Sequence, residues 1–510
     1  MRHLSILIVI LVLTLAGSTN AQPDSLWSRT YGNEGNDSLR VLIQTSDGGY
    51  AAAGYVTDEV GGADCYMMKF DSEVYPVWAK GVGHAYQDDV YDMVQDRQGG
   101  FALTGVTSDE PSETRSCFLW QIDPAGDREN WHEYVGDGNN DAGHSIVSLP
   151  DGDFAVCGVI NPGDEWMDDI MLRKIQPDGS EDWLHNYGDE NTSEWGLSMV
   201  TVENEETVEL VIAVQELVWG DEGVDYGSTV LLKTDEDGNQ IWSREFSDED
   251  ALSFPLDLIR TRDSGFAMIG GIGYSDQESG ITNWNTFLLK TNEEGEQEWM
   301  QEYDLDRDEW GMGLIQLGDG GYVFTGALGD QSEANQLENC DCMLVRVNRH
   351  GEVIWRETYG GEGLDYGANV IATDDGGYLI GGTTSSIGHG GTDFWLFKTG
   401  RDPVSVSSDP SFSVPSTISL LNTYPNPFNS WTTISYYLPV SGFTSLYIYN
   451  STGRRVSTLF EGLRESGTHR VTLDCADNPS GLYIIQLNQS SGINIGGNWD
   501  SISREVMLIK

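Results

Sequence analysis

A tryptophan recurs along this chain at Trp27, Trp78, Trp131, Trp183, Trp242, Trp299 and Trp355, at intervals of 51 to 59 residues. Self-similarity at a fixed period restricts the available folds more than any local motif does. Two further anchors keep the same period. One is an acidic or polar turn with glycine and an aromatic: "SDGGY" 46–50, "RQGGF" 97–101, "PDGDF" 150–154, "RDSGF" 262–266, "GDGGY" 318–322 and "DDGGY" 374–378, with a degenerate "ENEETVEL" at 203–210. The other is a short apolar run ending in a base, such as "FLLK" 287–290 or "WLFK" 395–398, with "FLWQ" 118–121 as the exception. Each tryptophan after the first follows an acidic turn, as in "TDEDGNQIW" 234–242.

Gly-rich turns separate short β-branched and aromatic runs, and no apolar spacing of three and four residues signals a helix. Each period therefore reads as four short strands, which is the pattern of a β-propeller blade. Seven copies of every anchor predict an all-β fold with a seven-bladed β-propeller over 22–400. The Trp27 strand precedes the first full copy and is expected to complete the last blade, pairing both open edges. The turn leading to each tryptophan resembles the Asp-box of sialidase-like propellers and the tryptophan-docking motif of quinoprotein propellers. That resemblance implies an architectural element and no activity. The chain as a whole resembles secreted seven-bladed propellers.

Outside the repeat, Arg2 and His3 precede an apolar run from Leu4 to Ala16 and small residues ending at Ala21, the layout of a signal peptide over 1–21. That run is short for a membrane span, and no other segment is apolar enough for one. Residues 401–417 are rich in Ser and Pro and read as a linker. Alternating strands over 418–510 predict a small Ig-like β-sandwich. Its sequence "YPNPFN" 424–429, "TTISYYLP" 432–439, "IYNSTGRRV" 448–456, "SGLY" 480–483 and a terminal Lys510 resembles the type A C-terminal sorting domain of type IX secretion cargo. The resemblance implies the type IX machinery as partner and an exported protein at the outer cell surface or beyond it. One departure is a long connection at 488–505 before the last strand.

Charge narrows the partners. With 82 acids against 27 bases the net charge is −55, so the basic patch that neutralises nucleic acid or an anionic membrane is missing. The turns on one face are short and standardised, whereas 215–228, 271–285 and 327–341 are long and variable, which marks the other face for binding. An acid opens the first strand of six repeats: Asp37, Asp88, Asp141, Glu194, Glu309 and Asp365. In the remaining repeat Asp250 lies nearby but shifted. Three are followed by aromatics, Trp195, Trp310 and Tyr366. Such a ring would suit a cation or a sugar platform. Recurrence with blade symmetry favours the plainer role of capping backbone N–H groups.

Other chemistry is sparse. Asp304, Asp306 and Asp308 alternate as in a calcium loop, but its glycine and distal glutamate are missing, so Ca²⁺ is the one ion left open and no other cofactor is expected. Cys340 and Cys342 form a CxC pair, while Cys65, Cys117 and Cys342 share one place in the repeat, which favours core packing. No GxSxG, HExxH or phosphate loop occurs. The expectation is an exported binding or display module for a glycan or surface protein. The alternative is a polysaccharide-active hydrolase or lyase using the same face.

Overall fold

The middle strands of each repeat are continuous apolar runs, as expected of strands covered on both faces. Phe101–Ser108, Phe154–Ile160 and Tyr378–Thr384 are buried almost throughout, whereas the tryptophan strand Gln240–Phe246 alternates between exposed and half-buried positions. That gradient places the middle strands between neighbouring sheets and the tryptophan strand at the rim. The computed structural model describes residues 9–11, 25–402 and 419–508, apart from 58–61, 84–86, 109–114, 135–140, 162–166, 190–191, 204–206, 221–222, 247–250, 277–279, 306, 332–336, 425–430, 439–441, 451, 465–466, 475–478 and 491–498. No described residue is helical.

The propeller strands fall into seven successive antiparallel groups of four, two pairs of which are joined by a single parallel bridge (Ala63↔Gln87 and Gly227↔Leu252), and we number the groups as blades 1 to 7. Their inner strands are Ser38–Gln44, Gln87–Gln95, Ala142–Ser148, Thr192–Glu203, Ala251–Arg260, Asp308–Gln316 and Asp365–Ala372. Each inner strand packs beside the next, and the seventh packs beside the first, so the ring closes. In blade 7 the outer strand is Ser25–Tyr31, which pairs antiparallel with Asp393–Thr399. Tyr31, Phe394 and Leu396 then share a buried cluster with Tyr50, Tyr66 and Met68 of blade 1. The propeller is all-β, and its last sheet is completed by its first strand.

The expected signal peptide lies outside the described residues except for Val9–Leu11, which pair with Ser28–Thr30. The described residues of 215–228, 271–285 and 327–341 are strand, not loop. They prolong the second and third strands of blades 4, 5 and 6 into hairpins, pairing out to Gly220↔Gly223, Asp276↔Gly280 and Gln331↔Leu337.

At the end of the ring carrying the standard turns, both repeated motifs have a mechanical explanation. Asp235 opens its turn by accepting the N–H groups of Asp237 (3.0 Å) and Asn239 (2.8 Å), and Gly238 reverses the chain at φ +80°. The glycine is needed twice over, because the tryptophan of the preceding blade lies against it. A Cβ on Gly295 would stand 2.6 Å from the Trp242 ring, and one on Gly238 would stand 3.0 Å from Trp183. Tryptophan and glycine therefore lock neighbouring blades, not one hairpin. In blade 1 the corresponding residue is Val74, at φ +60°.

The base ending the third strand pairs with the acid of the "DGG" turn. Lys69 meets Asp47 (3.0 Å), Lys174 meets Asp151 (2.9 Å), Lys290 meets Asp263 (3.1 Å) and Lys398 meets Asp375 (2.9 Å). In the degenerate repeat Glu209 takes the same role toward Lys233 (2.7 Å).

The propeller reaches slightly past the expected limit at residue 400. Asp402 accepts from Trp355 Nε1 (3.1 Å) and the Tyr378 hydroxyl (2.5 Å), beside Arg346. The expected linker beyond it lies outside the described residues.

The chain divides into two compact units, 1–406 and 407–510. The second has a three-stranded sheet (Ser419–Tyr424, Trp431–Leu438, Gly467–Asp474) and a four-stranded one (Arg455–Arg464, Gly442–Asn450, Gly481–Ser490, Trp499–Leu508). One core containing Ile434, Tyr436, Leu446, Ile448, Leu473, Tyr483 and Ile485 joins the two sheets as a sandwich. The long connection before the last strand does not disturb it: Trp499–Leu508 pairs along all of Gly481–Ser490.

Candidate functional site

Every inner strand carries a β-bulge near its start. The extra residues are Arg40, Tyr91, His144, Leu197, Leu256, Met312 and Ala368. The repeated acids stand three residues before the bulge. In blade 5 that place belongs to Ser253, which is buried and bonded to Thr229 Oγ1 (2.9 Å), while Asp250 lies outside the described residues. A bulge locally re-aims the side chains of its strand, and its recurrence makes these seven positions comparable from blade to blade.

The acids are buried in their own lead-in loops. Asp37, Asp88, Asp141, Glu309 and Asp365 are 0% exposed and Glu194 is 4% exposed. Asp37 accepts the N–H groups of Asn33 (2.6 Å) and Thr57 (2.9 Å), tying its loop to the end of the second strand. Asp365 takes the Gly361 N–H (2.8 Å) and the hydroxyls of Ser386 and Thr384. Asp88 takes the hydroxyl of Thr107, and Asp141 takes the Asn161 N–H (3.2 Å). These carboxylates do not form a ring open to the channel mouth.

The two glutamates reach differently. Glu309 Oε1 accepts from Leu305 (2.7 Å) and Arg307 (3.3 Å), and Glu194 Oε1 accepts from Thr192 and the Asp189 N–H (3.4 Å). Their Oε2 atoms are buried and have no partner among the described residues. Burial pushes both carboxyls up to about 7.

The position after each acid breaks the sevenfold pattern. It holds Ser38, Asp89 and Ala142 in blades 1 to 3, but Trp195, Phe254, Trp310 and Tyr366 in blades 4 to 7. These four aromatics are half-buried, whereas the first three residues are buried. Phe254 and Trp310 lie 5.9 Å apart, each packed on the buried Trp284, at 5.2 Å and 4.4 Å. Trp195 Nε1 is anchored on Asp168 (3.1 Å), and the Tyr366 hydroxyl meets Ser38 Oγ (2.8 Å).

The bulge residues show the opposite division: Arg40, Tyr91 and His144 in blades 1 to 3, and Leu197, Leu256, Met312 and Ala368 in blades 4 to 7. Arg40 gives Nε (3.2 Å) and Nη2 (3.0 Å) to a single oxygen of Asp89 and lies over the Tyr55 ring. Tyr91 packs on His144 at 5.5 Å. His144 Nδ1 meets the Gly196 carbonyl (3.0 Å), so Nδ1 donates and Nε2 is left as an acceptor. Burial lowers the His144 pKa and keeps the ring neutral. The mouth is therefore half aromatic and half polar.

One residue beyond the bulge, side chains stitch one blade to the next. Asp92 accepts from Ile146 N–H (2.9 Å) and Ser145 Oγ (2.7 Å), Ser145 accepts from Met199 N–H (3.3 Å), Ser198 from Leu258 N–H (3.2 Å), and Asp257 from Leu314 N–H (2.8 Å). Burial raises Asp92 to about 6 and Asp257 to about 7, with the Asp92 charge adding to the latter.

Of the three aspartates expected as calcium candidates, two lie among the described residues. Asp308 accepts the Trp284 N–H (2.9 Å), Asp304 is exposed, and Asp306 lies outside the described residues. Among the described residues no group of three or more metal-binding side chains stands together. Cys340 and Cys342 are free buried thiols, as are Cys65, Cys117 and Cys157.

Residues 422–495 match the family described as the secretion system C-terminal sorting domain. A chain carrying this domain is exported to the cell surface or the extracellular space and engages the secretion machinery through it. Among the described residues no helix is long and apolar enough to cross a membrane. No curated protein sequence matches the chain. Among solved structures, an ulvan lyase of a polysaccharide lyase family is similar over 73% of this chain and 96% of its own, with 9% identity and a TM-score of 0.48. An α-L-arabinofuranosidase from Fusarium graminearum is similar over 62% of this chain and 92% of its own, with 11% identity and a TM-score of 0.40. PorZ, a surface component of the type IX secretion system of Porphyromonas gingivalis, covers 93% of this chain with 74% of its own, at 10% identity and a TM-score of 0.26. Likeness at this level carries neither activity nor substrate.

Proposed function

We propose that this exported propeller binds a glycan at the mouth of its central channel and acts at the cell surface as a binding and display module. The observation that supports this reading is the broken symmetry of the mouth. Residues that hold the ring together repeat in nearly every blade, but the position after the acid is aromatic in four consecutive blades and small or charged in three. Half-buried aromatics beside a few polar groups are the usual make-up of a ligand site. Trp195, Trp310 and Tyr366 are the contact residues expected from sequence, joined by Phe254. Asp37, Asp88, Asp141, Glu194, Glu309 and Asp365 serve by fixing the loops that carry them.

A second reading, a polysaccharide-active hydrolase or lyase, draws on one specific observation: Arg40, Asp89, Tyr91 and His144 gather titratable groups opposite the aromatic arc. Incubating the full chain with a panel of polysaccharides, and following retention and product release together, separates the two. Retention without product supports display. Product that disappears in His144→Ala or Tyr91→Phe while retention persists supports the enzyme. No retention on any glycan sinks both.

A further inference from the structure

The charge around the mouth constrains which glycan fits, given the reading above that a glycan binds there. The chain carries −55, and the lead-in loops around the mouth are built on buried acids. Arg40 is the basic side chain among the bulge residues, and its charge is already balanced by Asp89 at 3.0 Å. Arg115 and Arg307 stand beside the loops of Asp141 and Glu309, where the Arg115 carbonyl accepts the Asp141 N–H and the Arg307 N–H meets the Glu309 carboxylate, and the Arg115 charge is felt by Tyr91. The Arg307 charge is felt by Asp341, another acid. An anionic polymer approaching this face meets a field dominated by its own sign, in which the Arg40 charge is held by Asp89.

What the mouth offers instead suits hydroxyls. Arg40 Nη1 has no partner among the described residues, because only Nε and Nη2 reach Asp89. Asp89 is 3% exposed, and its Oδ1 is buried without a donor among the described residues. An exposed guanidinium donor in the same ring of inner strands as four half-buried aromatics matches a sugar with a hydroxyl to offer and an apolar ring face.

We infer that the glycan recognised at the mouth is an uncharged one, with its sugar rings stacked along Trp195, Phe254, Trp310 and Tyr366 and a hydroxyl read by Arg40, which Asp89 holds in place. The test uses the full chain and measures tryptophan fluorescence and retention at 50 mM and 500 mM NaCl. The probes are neutral glycans (a β-glucan, a mannan, a xylan), uronate or sulfated ones (polygalacturonate, alginate, a carrageenan) and chitosan as a polycation. The expected result is a neutral glycan whose dissociation constant changes less than about twofold with salt, since no net charge pairing is screened. Trp310→Ala weakens that binding about tenfold or more, and Arg40→Gln, which keeps an amide donor, weakens it by less than about fivefold. Preferential binding of a uronate or sulfated glycan, fading with salt and lost in Arg40→Gln, overturns the uncharged class but leaves glycan binding standing. Salt-sensitive binding of chitosan alone overturns it in the same way. Failure of every glycan to bind removes the glycan-binding reading and this inference together.

Discussion

The two ends of the propeller ring are built from the same seven repeats and obey different rules. At the end with the standard turns, the tryptophan, the turn glycine and the lysine–acid pair recur blade after blade, and a lost element is replaced in kind, as when Glu209 stands in for the missing turn aspartate beside Lys233. At the channel mouth only the buried acids recur, while the residues that meet solvent differ from blade to blade. Repetition marks what every blade needs in order to join its neighbour. Departure from it marks what only one place on the molecule needs.

Four measurements would break or sharpen that contrast. The largest effect is expected where symmetry is tightest. Gly295→Val places a β-branched side chain at φ +76° and against the Trp242 ring. It should destabilise the propeller by about 3 kcal/mol or more in denaturant unfolding. Glycan binding by the fraction still folded should be unchanged; loss of binding without loss of stability would refute the division.

Trp310→Ala comes next and should do the reverse. Binding falls about tenfold, while the stability loss stays near 1–2 kcal/mol because the ring is only half-buried. Equal losses at both ends would mean that the mouth is merely structural.

The third measurement is a pH profile. Glu194 and Glu309 are raised to about 7 in the folded chain, above the ordinary glutamate range near 4.3. Between those values the folded state holds more protons than the unfolded one, so stability falls as pH rises toward 7 and levels off beyond it. Asp92 and Asp257 act with the same sign. Replacing Glu194 and Glu309 by Gln should flatten part of the decline in Tm between pH 5 and 8; an unchanged slope would show that the buried glutamates do not titrate there.

The smallest effect belongs to Asp47→Ala. Asp47 is largely exposed although its partner Lys69 is buried, so the change should cost about 1 kcal/mol or less. A much larger loss would mean that the pair, and not the tryptophan lock, secures the blade.

How much of this could be read beforehand depended on whether a residue repeats. The blades, their four strands and the closure by the Trp27 strand followed from three anchors counted in parallel. The acids were found by counting back from the turn, and their capping role followed from their symmetry. Phe254 escaped because its blade has Ser253 in place of the acid, so the count had no landmark there. Arg40, Tyr91 and His144 escaped because they sit on a bulge, where the alternation of strand faces slips by one residue and sequence periodicity gives no warning. Counting three residues on from each acid would have found all three. The long hairpins of blades 4 to 6 are not legible as strands because their length and sequence vary from blade to blade, although Ile272, Trp284, Ala327 and Cys340 within them are buried.

Closure of the last blade by Ser25–Tyr31 against Asp393–Thr399 makes the propeller a circle with a nick, whose two loose ends lie on neighbouring strands of one sheet. The contact separated by the most chain is also the one that finishes the ring, so its loop-closure entropy must be met before the last blade is complete, while the other six are built from contiguous sequence. Such a molecule has no intrinsic first blade. Joining the two ends with a short linker and opening the chain between two other blades, at 84–86 for example, would redraw the order of the sequence while leaving every neighbour in place.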